Sequence, residues 1–152
     1  VTAISGKKDQ VDFLSGLGAS EVILREDLQE VARKPIGKSL WDVGVDVVSG
    51  DILSLLLTSL TPGGAVACGG LVGGASFESS IFPFILRGNA LIGIDSVEIP
   101  LKDKLHIWEH FSQNWALDRL DDITKEVSLE ELGAEIESIL SGNQIGRVVV
   151  KT

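Results

Sequence analysis

Three groups of residues have the types and spacing to do chemistry. At Ser5-Gly6-Lys7-Lys8 a hydroxyl and two ammonium groups follow a short β-branched run, with no carboxylate among them. In dinucleotide-binding folds the turn after the second strand meets the adenosine ribose, where an acidic side chain accepts the 2′-hydroxyl and a basic one suits a 2′-phosphate. On charge the tetrapeptide favours NADP(H) over NAD(H), although in isolation it reads first as an ordinary polar turn. The second group, His106-Ile107-Trp108-Glu109-His110, fits H-x-x-E-H, the zinc pattern of inverted metalloproteases, and on a helix it sets two imidazoles one turn apart. That helix already has an apolar stripe in Leu105, Trp108 and Phe111, so the histidines and Glu109 read as its solvated side. No dedicated third ligand is evident, and five-residue patterns recur by chance. The third is Cys68, alone in an apolar, glycine-flanked run with no histidine in a suggestive relation, which reads as core rather than nucleophile. Trp41, Trp108 and Trp115 read as core or interface aromatics.

The elements that must position these groups alternate short β-branched runs with helical stretches, the signature of βαβ units and a parallel sheet. Strands are predicted at Val1 to Ile4, Glu21 to Leu24, Val43 to Val48, Ala65 to Cys68, Ala90 to Ile94 and Arg147 to Lys151. Helices are predicted at Asp9 to Leu17 with Gly18 as C-cap, Ile52 to Leu60, Ile81 to Arg87, and Lys102 to Trp115 as an amphipathic helix on the sheet. Ser128 and Glu131 form a capping box for a last helix striped by Leu129, Leu132, Ile136 and Leu140 and ended by Gly142. Thr61-Pro62-Gly63-Gly64 reads as a turn, and the glycines from Gly69 to Gly74 leave a backbone bare enough for close approach. Ser49-Gly50, Cys68-Gly69-Gly70 and Asp95-Ser96 each end an apparent parallel strand, the place where open α/β sheets bind ligands. With no repeat or linker, one compact unit is expected.

Composition narrows the function classes. The chain has 152 residues, 44% hydrophobic and 23% charged, enough for one globular core. A net charge of -9 with no basic stripe argues against nucleic acid. Ile52 to Leu60 falls well short of the roughly 20 apolar residues of a membrane helix. A lone cysteine and no apparent secretory signal point to the cytoplasm. A first residue Val1 in a strand, and no methionine, lead to the expectation of a partial domain.

The runs Gly63 to Leu71, Ile81 to Gly88 with its Pro83-Phe84-Ile85-Leu86-Arg87-Gly88, and Leu91 to Val97 with its Leu91-Ile92-Gly93-Ile94-Asp95-Ser96-Val97 carry a resemblance. Leu17 to Ile23, Val127 to Leu132 and Gly146 to Lys151 extend it over nearly the whole chain. The sequence resembles the quinone-oxidoreductase-like medium-chain dehydrogenase/reductases, and within them the zinc-free acrylyl-CoA reductase type.

That resemblance implies a Rossmann-type doubly wound parallel α/β sheet, incomplete on its N-terminal side. Its first strand, its G-x-G-x-x-G/A-type turn and a substrate domain would precede Val1. In the usual 3-2-1-4-5-6 order the absent strand is central, so the sheet should fall into two halves. Residues 1 to 152 would be a partial NADP(H)-binding domain, with 127 to 152 a helix and strand returning toward the substrate domain. The implied activity is NADPH-dependent reduction of an activated C=C bond in a small molecule, with this chain alone inactive. Ser5, Gly6 and Lys7 would hold the 2′-phosphate, Arg25 would lie near the adenine, and Gly70, Leu71 and Asp95 would line the nicotinamide half. Lys7 replaces the family's usual arginine and loses its planar fork. Asp46-Val47-Val48-Ser49-Gly50 replaces Asp-Thr-Val-Gly-Gly, adding a Cβ at Ser49. The strand near Leu91 to Val97 would pair with its twin in a homodimer. The alternative is a non-catalytic module acting through that dimer surface.

Overall fold

The computed structural model describes residues 1–28, 34–116 and 118–152. The polar stretch after Leu24 therefore lies partly outside the described residues. Where the sequence suggests one compact unit, the chain forms two, Val1–Ile99 and Pro100–Thr152. No shift in composition marks the boundary.

In the first unit β1 (Thr2–Ser5) and β2 (Glu21–Leu24) pair in parallel, from Thr2 opposite Glu21 to Ser5 opposite Leu24. Parallel neighbours need a crossover, which a 3-10 turn at Lys8–Gln10 and the short helix α1 (Val11–Gly16) supply. Gly18, at φ 105°, turns the chain back toward β2. The same alternation then runs through β3 (Trp41–Asp46), α2 (Asp51–Ser59), β4 (Leu60–Cys68), α3 (Phe82–Arg87) and β5 (Ala90–Gly93), a parallel sheet in the order β3-β4-β5. The α/β class with parallel pairing is as expected. So is the division, because β1-β2 and β3-β4-β5 are separate sheets.

Helix α2 explains where the core lies. From Leu53 to Ser59 every residue of it is buried, the pattern of a helix enclosed on all sides. Leu53, Leu56, Leu57, Leu60 and Val66 form the central cluster, and Ile4, Trp41, Cys68, Phe84 and Leu91 pack against it. Ile4 thus ties the β1-β2 pair to the core of the larger sheet. Each buried leucine contributes about 1.5–3 kcal/mol over an exposed one. Because side chains alternate along a strand, Gly44, Val66 and Leu91 share the core face, while Val43 and Val45 stand 70% and 77% exposed on the other.

Thr61-Pro62-Gly63-Gly64 is strand rather than the expected turn. These residues lie within β4, where the pairing slips between Trp41 opposite Leu60 and Val43 opposite Ala65. Gly63 takes φ 80°, and a Cβ on Gly64 would sit 2.7 Å from the Asp42 carbonyl oxygen, so the glycines let the strand bulge while staying against its neighbour.

The second unit holds α4 (Leu101–Gln113), β6 (Thr124–Ser128), α5 (Leu132–Leu140) and β7 (Arg147–Lys151), with β6 and β7 parallel. The expected burial of the α4 stripe is not realised: no residue of the helix is buried, and Trp108 is 68% exposed. Its aromatic side chains contact one another instead, Trp108 to Phe111 at 6.0 Å and Phe111 to Trp115 at 5.7 Å between centroids. The capping box forms on one side, with the Ser128 N–H donating to Glu131 Oε2 at 2.8 Å. That bond is the main reason the Glu131 carboxyl titrates below its ordinary value. Leu129 to Glu131 make a turn first, so the helix starts later than the box suggests.

Candidate functional site

The C-terminal ends of the first-unit strands hold two dissimilar arrangements. At the ends of β1 and β2, Ser5, Gly6, Lys8, Leu24, Arg25 and Glu26 line a cleft of about 210 Å³. Parallel register makes this meeting inevitable, since Ser5 is paired with Leu24 and both chains leave the sheet together. The Ser5 hydroxyl accepts the Lys7 backbone N–H at 3.1 Å, which fixes the turn. The Arg25 guanidinium lies across this turn, where a Cβ on Gly6 would meet its Cζ at 3.4 Å, in ordinary van der Waals contact. Of the expected site residues the structure therefore brings Ser5, Gly6 and Arg25 together, with Lys7 in the same turn.

Glu26 is the residue that sequence reasoning missed. Its carboxylate pairs with Lys8 Nζ at 2.6 Å, and the hydrogen bond and charge of Glu26 raise the Lys8 pKa. The signal was present in Arg25-Glu26-Asp27, directly after β2, but only the parallel register shows that it reaches the Ser5 turn. One of the two cations of the tetrapeptide is thus neutralised.

Arg25 also borders a second cleft, of about 190 Å³, together with Val48, Ser49, Asp51, Ile52 and Gly73. This region is built from backbone. Asp46, only 1% exposed, accepts from the Ser49 N–H at 2.9 Å and from the Val48 N–H at 3.3 Å. Ser49, in place of glycine, is held at φ 66°, the single non-glycine residue with positive φ among those described. The Gly69 to Gly74 run folds back over this turn, with Gly69 N–H donating to the Asp46 carbonyl at 2.8 Å and Gly73 N–H to that of Val48 at 2.6 Å. A Cβ on Gly70 would overlap the Val47 carbonyl. What approaches these glycines closely is the chain's own backbone.

Leu71 is 66% exposed beside that turn. Asp95 follows β5, where its carboxylate accepts the Val97 and Glu98 N–H groups, each at 2.9 Å. Gly70, Leu71 and Asp95 thus follow adjacent strands, joined by the Ile94 N–H bond to the Cys68 carbonyl at 2.9 Å. Cys68 Sγ lies 3.6 Å from Asp46 Oδ2 in a half-buried position. Among the described residues no three His, Cys, Asp or Glu side chains gather as a metal site.

The sequence matches the zinc-binding dehydrogenase family over residues 1–112. It is 43% identical to YhfP of Bacillus subtilis (strain 168), which bears a quinone oxidoreductase name, over 99% of this chain and 46% of that protein. The crystal structure of B. subtilis YhfP with NAD bound superposes with a TM-score of 0.93, covering 100% of this chain and 46% of that one. Acrylyl-CoA reductase AcuI of Ruegeria pomeroyi (strain ATCC 700808 / DSM 15171 / DSS-3) is 35% identical over 99% of this chain and 46% of its own length. The YhdH oxidoreductase of Salmonella enterica in complex with NADP gives a TM-score of 0.94 at 30% identity, with 100% and 46% of the two chains covered. The chain thus spans about half the length of the relatives it matches. On the match over residues 1–112 and these relatives, it belongs to the zinc-binding dehydrogenase family, the medium-chain dehydrogenase/reductases.

Proposed function

We propose that this chain is the NADP(H)-binding part of a cytoplasmic reductase acting on a small-molecule C=C bond conjugated to a thioester or carbonyl. The observation that carries the cofactor half is the convergence of Ser5, Gly6 and Arg25 on one cleft at the ends of two parallel strands. A 2′-phosphate in that cleft would accept from the Ser5 hydroxyl and the forked Arg25 guanidinium, with the Lys7 ammonium adding a point charge. Glu26 opposes the phosphate less than its sequence position suggests, because Lys8 neutralises it. Each of the two clefts meeting at Arg25 is smaller than the roughly 300–1,000 Å³ usual for a small-molecule site, so an adenosine moiety would occupy both. Gly70, Leu71 and Asp95 would face the nicotinamide half. When bound, NADPH supplies the hydride, while the chain's residues position it.

The double-bond substrate class rests on the 35% identity to an acrylyl-CoA reductase and the likeness to a quinone-oxidoreductase relative. No residue of the chain is assigned a catalytic role, and the reduction belongs to a protein of the relatives' full length. Strand β5 is the outer member of its ladder, and its edge would pair with a second copy between Leu91 and Val97. The test is calorimetric titration of NADPH and NADH into the chain and into a form extended at its N-terminus to the relatives' length. Tighter binding of NADPH in the extended form, lost in Arg25→Ala, is expected. Equal affinity for the two nucleotides would sink the NADP(H) assignment.

A further inference from the structure

The histidines of α4 are unused by the site above, and their geometry is specific. His106 Nε2 and His110 Nε2 lie 3.3 Å apart, with ring centroids 4.6 Å apart and planes at 73°. Two nitrogens bound to a tetrahedral divalent ion at about 2.0–2.1 Å stand roughly 3.3–3.4 Å from each other, the edge of that tetrahedron. The pair already has the spacing of two ligands of one ion. We infer that His106 and His110 form a chelating site for a late first-row divalent cation, such as Cu²⁺ or Zn²⁺, on the surface of the second unit.

Helical spacing of four residues places both rings on one face, and His110 has further neighbours that hold its ring. His110 stacks on Trp115 at 4.9 Å and 22°, and its Nδ1 lies 3.3 Å from the side-chain amide of Asn114. The amide nitrogen of Asn114 faces Nδ1 and donates to it, so the His110 proton lies on Nε2, toward His106 Nε2; binding an ion moves that proton to Nδ1, where the Asn114 amide turns its oxygen to accept it. No third His, Cys, Asp or Glu completes the shell among the described residues. Two positions therefore remain for water or for donors from another molecule, which sets this site apart from a protease centre or a dehydrogenase zinc.

Imidazole donors favour Cu²⁺ over Ni²⁺ and Zn²⁺. Calorimetric titration of Cu²⁺ and Zn²⁺ into the chain is expected to give one ion per chain, Cu²⁺ the tighter. Loss of an orienting partner alone weakens metal sites about 10- to 100-fold, so His106→Ala and His110→Ala should each weaken binding at least tenfold. Trp115 fluorescence, quenched by Cu²⁺ in the parent chain, should respond less in both variants. His106→Gln, which keeps a polar helical residue, serves as a second variant, with circular dichroism confirming an intact helix. No saturable binding by the parent chain, or variants that bind as it does, would overturn the assignment.

Discussion

The C-terminal ends of the two sheets in the first unit are built on opposite plans. At β3 and β4 the Asp46 to Gly50 turn and the Gly69 to Gly74 run are fastened to each other by backbone hydrogen bonds and by Gly70, which admits no Cβ. At β1 and β2 the Ser5 turn and Arg25 meet through side chains around an open cleft, with an exposed Lys8–Glu26 pair. The first plan makes shape a property of folding. The second leaves charge available to a ligand. Substitutions in the two regions should consequently fail in different assays.

The largest effect is expected from Gly70→Ala. Its methyl group would overlap the Val47 carbonyl, and neither partner is the mobile tip of a side chain. Overpacking of this kind costs about 1–3 kcal/mol and occasionally more, so chemical denaturation should show a loss of roughly 3 kcal/mol. A loss below about 0.5 kcal/mol, within the range of ordinary surface substitutions, would mean that the run of glycines is not packed on the Val47 turn. Asp46→Ala comes next. It leaves the Val48 and Ser49 N–H groups without their carboxylate acceptor in a buried turn, and an unsatisfied buried donor costs about 1–3 kcal/mol. Asp46→Asn, which keeps an acceptor oxygen, should recover part of that loss.

Ser49 sharpens the same contrast with the opposite sign. A non-glycine residue in the left-handed region carries about 1–2 kcal/mol of steric cost, and Ser49 sits there at φ 66°. Ser49→Gly relieves that cost but loosens the unfolded chain by about 0.4–1 kcal/mol, so a net gain of about 1 kcal/mol or less in unfolding free energy is expected. A destabilised Ser49→Gly would show that the serine side chain contributes more than its backbone conformation costs.

How much of this was legible follows from where the signal resides. Glu21 to Leu24 and Arg147 to Lys151 carry their strand character in their own residues, and both strands have the bounds that the pattern indicates. Strand β6 went unread because Thr124-Lys125-Glu126-Val127-Ser128 has one apolar position, the buried Val127; the strand exists through its pairing with the valines of β7. The stripe on α4 was read correctly as periodicity and wrongly as burial, since period gives the face but not what covers it. For the candidate site, Ser5 and Gly6 read in the sequence as a polar turn and Arg25 enters through family resemblance; the structure brings the three to one cleft. Register alone adds Glu26, and only the fold shows that Gly70 is a packing glycine.

At the charged end, Arg25→Ala should leave unfolding free energy within about 0.5 kcal/mol of the parent, as exposed substitutions usually do. In the extended form it should weaken NADPH at least tenfold more than NADH, read by titration. Equal weakening of both would place Arg25 at the adenine, the role first expected for it, rather than at the 2′-phosphate.

The smallest effect belongs to the Lys8–Glu26 pair. Both side chains are more than half exposed, at 69% and 56%, so solvent and salt screen them. Glu26 raises the Lys8 pKa above its ordinary 10.5, first by hydrogen bonding and then by charge. A group with a raised folded-state pKa stabilises the fold fully below its unfolded value, and that stabilisation disappears as pH rises through the folded one. The thermal midpoint of the parent should therefore exceed that of Glu26→Gln by a small, constant margin at neutral pH. The two should converge as the pH passes 10.5, and 1 M salt should remove the difference at every pH. Curves that instead diverge with rising pH would show that Glu26 acts on stability through something other than Lys8, and the charged end would then be structural like its neighbour.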